Sequence, residues 1–153
     1  KLFTSHKVFT ESEVHSRYEI KLENYVKVIN IEAMSMLDIA RRMITPAAVE
    51  YSKEVAKEAQ LKKSVLPTID LTAETELLTT LSSEMGTLAK GISALEKAVK
   101  GQTESDMLKE AQYTRDAILP AMETVRKAAD ALEVVVAKQY WPMPTYQDML
   151  LYV

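Results

Sequence analysis

Apolar residues recur three or four positions apart along most of this chain, and that spacing is the strongest constraint on its fold. It has the period of an α-helix, so these side chains share one helical face. Over three heptads it indicates a seam against a second helix. The members of this seam are Leu78, Leu81, Met85, Leu88, Ile92, Leu95 and Val99. With 3 glycines in 153 residues and few strand-like stretches, the sequence predicts an all-α fold.

The same periodicity predicts an elongated up-down bundle of three long helices, with residues 1–153 forming a single helical domain. The helices are expected at 11–63, 73–100 and 104–139. The tail, residues 140–153, is expected to form a short C-terminal segment. The stripe of the first helix is Val14, Tyr18, Leu22, Tyr25, Ile29, Ala33, Met36, Ala40 and Met43, followed by Ala48, Tyr51, Val55 and Ala59. The stripe of the third is Leu108, Ala111, Arg115, Ile118, Met122, Val125, Ala129, Leu132 and Val136.

Two cap signals mark helix starts. Thr10 and Glu13 have the spacing of a capping box, in which each side chain bonds the other residue's backbone amide. Thr103 and Asp106 form a second cap pair ahead of the third helix. Gly101 suits the end of the second helix.

Pro46 and Pro120 both fall inside helical patterns. A straight helix over residues 11–63 would span about 80 Å, whereas a compact domain of this size is roughly 40 Å across. Proline removes a helical hydrogen bond and clashes with the preceding turn, so we expect kinks at both prolines. The segments RRMITPAA (41–48) and RDAILPAM (115–122) share Arg, Ile, Pro and Ala in register, by coincidence or by duplication.

Arg115 is the one charged member of the third stripe. Burying a charge without a partner is costly, which leaves two interpretations open. Either a carboxylate partner pairs with Arg115 and fixes the helix register, or its long side chain extends to water. Gly86 and Gly91 lie off the seam of the second helix. A neighbouring helix that crosses closely at these positions would explain the two glycines.

Composition excludes several classes of function. The formal net charge of −3 gives no basic patch for nucleic acid. The absence of cysteine excludes disulfides and thiolate sites. No apolar run approaches the ~20 residues of a membrane span, and Lys1 begins no secretory signal. We expect a cytoplasmic protein, and a chain that starts with Lys1 rather than Met suggests a piece of a longer one.

Glu11, His15, Glu19 and Glu23 form an i, i+4 row that could hold a metal or serve as surface caps and ion pairs. The second interpretation is favoured, because a di-iron bundle needs two Glu-x-x-His motifs. Three residues before His15, where such a motif has Glu, this chain has Ser12. A phosphorelay role for His15 lacks a distinctive context. Phosphate loops and nucleophile elbows are absent. The sequence predicts no catalytic, cofactor-binding or metal-binding residue.

The segment KVFTESEVHSRYEIKLENYVKVINIEA at 7–33 has more tyrosine and charge than packing requires. It resembles the start of the C-terminal region of type III glutamine synthetases, the long-subunit bacterial class. The segments ITPAAVEYSKE (44–54), YTRDAILPAMETVRKAADALE (113–133) and YWPMPTYQDMLLYV (140–153) are similar to the same family in the same order.

This resemblance implies part of an enzyme of nitrogen metabolism that ligates ammonia to glutamate, using ATP and Mg or Mn. Family members form dodecamers of two stacked rings. Their catalytic and ligand-binding residues belong to an upstream β-rich domain, and none of its motifs occurs here. The resemblance therefore implies a non-catalytic, structural or assembly role, whose partners are the upstream catalytic domain and neighbouring subunits, without nucleic acid or membrane.

Two alternatives come from other functional classes. A free-standing adaptor or sensor bundle would bury Tyr18, Tyr25, Tyr140 and Trp141 or line a groove with them, whereas a domain separated from its catalytic body would leave aromatic surface exposed. A metal-dependent bundle enzyme rests on His15 and its neighbouring glutamates alone.

Overall fold

The computed structural model describes residues 2–102 and 106–151, and within them all regular structure is helical. The elements in chain order are α1 (Leu2–Ser5), α2 (Glu11–Ile39), π1 (Ala40–Ile44), α3 (Thr45–Val65), α4 (Thr72–Lys100), α5 (Met107–Tyr113), π2 (Thr114–Ile118), α6 (Leu119–Val135) and α7 (Tyr146–Leu151). Of the helices in the described ranges, none is long and apolar enough to span a membrane.

The predicted capping box opens α2. The backbone amide of Glu13 donates to Thr10 Oγ1 at 3.3 Å, and the amide of Thr10 donates to Glu13 Oε2 at 2.8 Å. The hydrogen bond from the Thr10 backbone, with a second from its hydroxyl, lowers the pKa of the Glu13 carboxyl. The start of α2 is therefore set by local chemistry that the sequence displays.

The third helical stretch is shorter than predicted. It begins at Met107, where Asp106 accepts a hydrogen bond from the amide of Leu108 at 3.1 Å. Thr103, the other half of the expected cap pair, lies outside the described residues. The stretch ends at Val135 rather than 139, because Val136 turns to an extended backbone with ψ of 129°. This turn brings the ring of Tyr140 to 5.3 Å from that of Tyr51 on α3.

The helical backbone continues through both prolines by way of a wider turn. π1 and π2 each end two residues before a proline. The Thr45 amide donates to the carbonyl of Ala40, and the Leu119 amide donates to the carbonyl of Thr114, each spanning five residues. A proline ring in a regular α-helix clashes with the carbonyl four residues earlier and leaves it without a donor. The π turn, which bonds i to i+5, is the local arrangement adopted here.

Inside each π turn the buried residue lies one position away from the predicted stripe member, so these two stripe predictions are wrong. Met43 is 39% exposed, whereas its neighbour Ile44 is 5% exposed. Arg115 lies on the surface and pairs with Asp116 at 2.6 Å, while Thr114 is fully buried in its place. A π turn holds one more residue than an α turn, so a strict 3-4 count fails inside it. Beyond the two turns, Ala48 and Met122 are buried as predicted.

The centre of the core lies between α4 and α6, the pair that packs most extensively. The predicted α4 seam supplies fully buried leucines, and α6 and its π turn supply the facing residues. The least exposed of these are Leu81, Leu88, Leu95, Ile118, Val125 and Leu132. Each such side chain stabilises the fold by roughly 1.5–3 kcal/mol. α3 packs along α4, and α2 packs mainly on α5.

Gly91 is buried where α6 crosses α4. A Cβ atom at Gly91 would lie 3.2 Å from Val125 Cγ2 and 3.5 Å from the Val125 backbone. The predicted close crossing is therefore confirmed at this glycine. Gly86, one turn earlier and exposed, has no atom within 4 Å of such a Cβ among the described residues.

The two glycines should respond in opposite directions to larger side chains. Gly86→Ala should stabilise the chain by up to ~1 kcal/mol, since alanine is the better helix former and the space is open. Gly91→Leu should destabilise it by roughly 1–3 kcal/mol, since the added atoms overpack the helix crossing. Urea unfolding followed by circular dichroism measures both. Equal effects at the two sites would contradict the close approach of α6.

The register shift at π1 gives a second prediction. Ile44→Ala should lower the free energy of unfolding by about 2–4 kcal/mol, as expected for a buried isoleucine. Met43→Ala should lower it by less than about 1 kcal/mol, since this side chain is exposed. The same urea titration compares the two variants. A larger loss of unfolding free energy for Met43→Ala than for Ile44→Ala would contradict the burial of Ile44 in place of Met43.

Candidate functional site

The row of Glu11, His15, Glu19 and Glu23 lies on the surface of α2. His15 Nδ1 is 3.4 Å from Glu19 Oε1, with side chains 71% and 59% exposed, and Glu23 pairs with Lys27. Exposed ion pairs of this kind contribute ~0.5 kcal/mol or less. Within residues 2–102 and 106–151, no group of three or more His, Asp or Glu side chains could hold a metal ion.

A cluster of aromatic and apolar side chains lies at the start of α2, and we call it the N-terminal apolar surface: Phe3, Phe9, Tyr18 and Ile20. The rings of Phe3 and Phe9 are 5.8 Å apart, and the Arg17 guanidinium lies 4.5 Å from the centre of the Phe9 ring. Tyr18 is 47% and Ile20 59% exposed. The sequence stripes did not identify Phe3 and Phe9, because these residues lie in α1 and the following turn.

A second surface feature is the Trp141 groove, which has a volume of about 410 Å³. Its apolar floor comes from α2, π1 and α6, and the tail supplies one wall: Met36, Ile39, Ile44, Val125, Ala129 and Trp141. Ile31 stands at its edge and is 67% exposed. The charged residues that line the groove are Glu32, Arg126, Asp130 and Glu133, and Arg126 pairs with Asp130 at 3.7 Å.

The exposure of the four aromatic residues named above agrees with one functional hypothesis at some positions and with the other elsewhere. Tyr18 is exposed, as expected for a domain that has lost a neighbour. Trp141 is half-buried and lines a groove, as expected for an adaptor. Tyr25 and Tyr140 are also half-buried. Aromatic exposure alone therefore does not choose between the two.

A polar network that the sequence did not indicate ties α2 to α5. Asn30 Nδ2 donates to Gln102 Oε1 at 2.8 Å, and Gln102 Nε2 donates to Glu110 Oε1 at 2.9 Å and to Thr114 Oγ1 at 3.4 Å. The Asn30 Oδ1 atom is buried and accepts no hydrogen bond from the described residues. The network joins residues far apart in the chain, so no local spacing reveals it.

Comparison with known proteins decides between the hypotheses. A family model for the glutamine synthetase C-terminal domain matches residues 1–63. A glutamine synthetase of Butyrivibrio fibrisolvens is 37% identical over 150 residues, 97% of this chain. A type-3 glutamine synthetase of Dictyostelium discoideum is 28% identical over 98% of the chain. A glutamine synthetase of Bacteroides fragilis is 25% identical over 94% of it. The chain corresponds to the C-terminal region of glutamine synthetases.

The glutamine synthetase region described here is a small part of its relatives. The chain spans about a fifth of their length, 21% for the Butyrivibrio and Dictyostelium proteins and 20% for the Bacteroides protein. The adaptor hypothesis is not favoured, because the similarity extends over nearly the whole chain. The functional interest of this glutamine synthetase region therefore lies in its surfaces.

The tail of the region is held by a second capping box. Thr145 N donates to Asp148 Oδ2 at 3.0 Å, and the Asp148 amide donates to Thr145 Oγ1 at 3.3 Å. Lys138 bonds the same carboxylate. Lys138 first, and then the backbone and hydroxyl of Thr145, lower the pKa of Asp148 from 3.8 to about 2.

This cap gives a pH prediction. A lowered pKa in the folded state means that the cap stabilises α7 above pH 3.8 and loses this effect as the pH falls toward about 2. In an NMR titration, the Thr145 amide resonance should move with a midpoint well below that of an ordinary aspartate. Lys138→Ala should raise the midpoint and Asp148→Asn should abolish the transition. A midpoint unchanged by Lys138→Ala would show that the contact with Lys138 does not lower the pKa of Asp148.

Proposed function

We propose that this chain is the helical, structural and assembly part of a type III glutamine synthetase of the bacterial class. The full-length protein would ligate ammonia to glutamate with ATP and Mg or Mn, and the C-terminal region itself would contribute no catalytic residue. The observation that carries the proposal is the alignment of nearly all of this chain with one fifth of each relative. Catalysis then belongs to the rest of the parent protein, in the cytoplasm.

The domain proposed for residues 1–153 is one bundle of three long helices bent at the two prolines. Uninterrupted helical backbone from Glu11 to Val65 supports the first of these helices. A straight helix of that length would project about 80 Å, well beyond the diameter of a compact domain. The π turns before Pro46 and Pro120 are the positions at which the path would bend, because kinks concentrate at prolines and π turns.

The N-terminal apolar surface is proposed to contact the catalytic body. Tyr18 and Ile20 expose about half of their area in this chain, and Phe3 is 52% exposed. Apolar residues grouped in this way mark interaction sites in larger proteins. Arg17, stacked on Phe9, holds a cation beside them that can pair with an acidic side chain of the neighbour. The dodecamer of stacked rings belongs to the same proposal, with neighbouring subunits as further partners.

Two variants test this contact against a matched control. Tyr18→Ser with Ile20→Ser should leave the melting temperature of the isolated chain almost unchanged, since both side chains are exposed. In the full-length enzyme the same pair should increase proteolysis near α1 and lower glutamine formation several-fold. Val134→Ser, at a residue that is 85% exposed on α6, should change neither.

The isolated chain is expected to form no glutamine from glutamate, ammonia and ATP, whereas the full-length enzyme should. Turnover by the purified chain would contradict the division between catalytic body and helical region. Unchanged proteolysis of the full-length double variant would instead exclude the N-terminal apolar surface as the contact.

A further inference from the structure

A cleft lies over the N-terminal apolar surface and has a volume of about 500 Å³. Val14, Arg17 and Lys21 complete its lining. Apart from the two cations, the lining is apolar or aromatic, and within the described part of the chain no carboxylate belongs to it. Small-molecule sites in proteins have a similar volume and combine apolar walls with a few polar groups.

The two cations of the cleft are not compensated by neighbouring acids. Arg17 and Lys21 are one helical turn apart on α2, and like charges at this spacing repel each other. Neither forms an ion pair within residues 2–102 and 106–151, whereas Lys27 on the same helix pairs with Glu23. The cleft therefore holds two adjacent positive charges beside an apolar wall.

Glu13 is the one acid that lies three or four residues from either cation along the chain. Its carboxylate accepts hydrogen bonds from the amide and the hydroxyl of Thr10, at 2.8 and 2.9 Å. These bonds hold Glu13 at the start of α2, while the Arg17 guanidinium lies 4.5 Å from the centre of the Phe9 ring. An anion that binds between Arg17 and Lys21 is therefore not supplied by the described residues.

We propose that this cleft binds a small carboxylic acid with an apolar body. The carboxylate would lie between Arg17 and Lys21, since charge-assisted hydrogen bonds to a carboxylate are strong. The hydrocarbon part would cover Phe9, Tyr18 and Ile20 and remove their apolar area from water. The catalytic body is proposed to cover the same surface, so the bound acid would compete with that contact. This regulatory consequence alone rests on the proposed function.

An NMR titration of the chain with octanoate tests the site. The amide resonances of Phe9, Tyr18 and Lys21 should shift together along one saturable curve. Acetate lacks the apolar body and octylammonium carries the opposite charge, so each should bind at least about tenfold more weakly than octanoate. Added salt should weaken octanoate binding, because it screens exposed charges.

Variants of single cations separate this site from non-specific binding. Lys21→Gln removes one cation but keeps the contact of Arg17 with Phe9, and it should weaken octanoate binding several-fold. Arg17→Gln combined with Lys21→Gln should weaken it at least about tenfold. Lys27→Gln, on the same helix but outside the cleft and paired with Glu23, should bind octanoate like the unaltered chain. All three cations are exposed, so circular dichroism should show unchanged folding.

Three results would overturn the proposal: octylammonium binding as tightly as octanoate, an octanoate affinity unchanged by Lys21→Gln, or resonance shifts at the Trp141 groove instead of the cleft.

Failure of the proposed function gives a different result. In the full-length enzyme octanoate should increase proteolysis near α1, and Lys21→Gln should suppress this increase. Octanoate binding to the isolated chain, together with unchanged proteolysis of the enzyme, would support the ligand site and contradict the contact with the catalytic body.

Discussion

The register of the bundle depends on how the backbone accommodates two prolines. Pro46 and Pro120 have no amide hydrogen to donate, and a regular α-helix would press each ring against an earlier carbonyl. The amides of Thr45 and Leu119 instead bond five residues back. The extra residue in each π turn places Ile44 and Thr114 in the core. Beyond these turns the buried residues, among them Ala48, Val55, Met122 and Leu132, lie at the positions that the 3-4 spacing predicts.

The two proline segments are alike in structure as well as in sequence. In each, a buried residue opens the π turn, a buried isoleucine closes it, and the proline follows two residues later: Ala40, Ile44 and Pro46 in one, Thr114, Ile118 and Pro120 in the other. Both Ala40 and Thr114 accept the five-residue hydrogen bond. The similarity of the two segments extends to their backbone hydrogen bonds, which the four shared residues alone did not predict.

Sequence reasoning predicted what depends on local spacing. The α4 seam and the Thr10 capping box both occur in the structure as expected, because periodicity and cap chemistry act within a few residues. It failed at Met43 and Arg115, which lie in π turns, and at Leu108, which is 42% exposed near the start of α5. It also missed the contact of Asn30 with Gln102, which joins distant parts of the chain.

The candidate surfaces were only partly predictable for the same reason. Tyr18 was identified from its place in a stripe, since a phenol hydroxyl is an unusual group to bury. The Trp141 groove was not identified, because its walls come from α2, α6 and the tail, which meet only in the folded chain. The early end of α6 at Val135 also mattered, since it directs the tail back across the bundle.

That return of the tail has a consequence for how the chain can be shortened. The ring of Tyr140 packs at a tilt against that of Tyr51, and Trp141 packs against the core beside Ile39 and Val125. The last residues before Pro142 therefore cover apolar surface that the long helices leave open. Removing everything after Val136 would uncover part of the interior, and the resulting protein would be expected to aggregate although every long helix was retained.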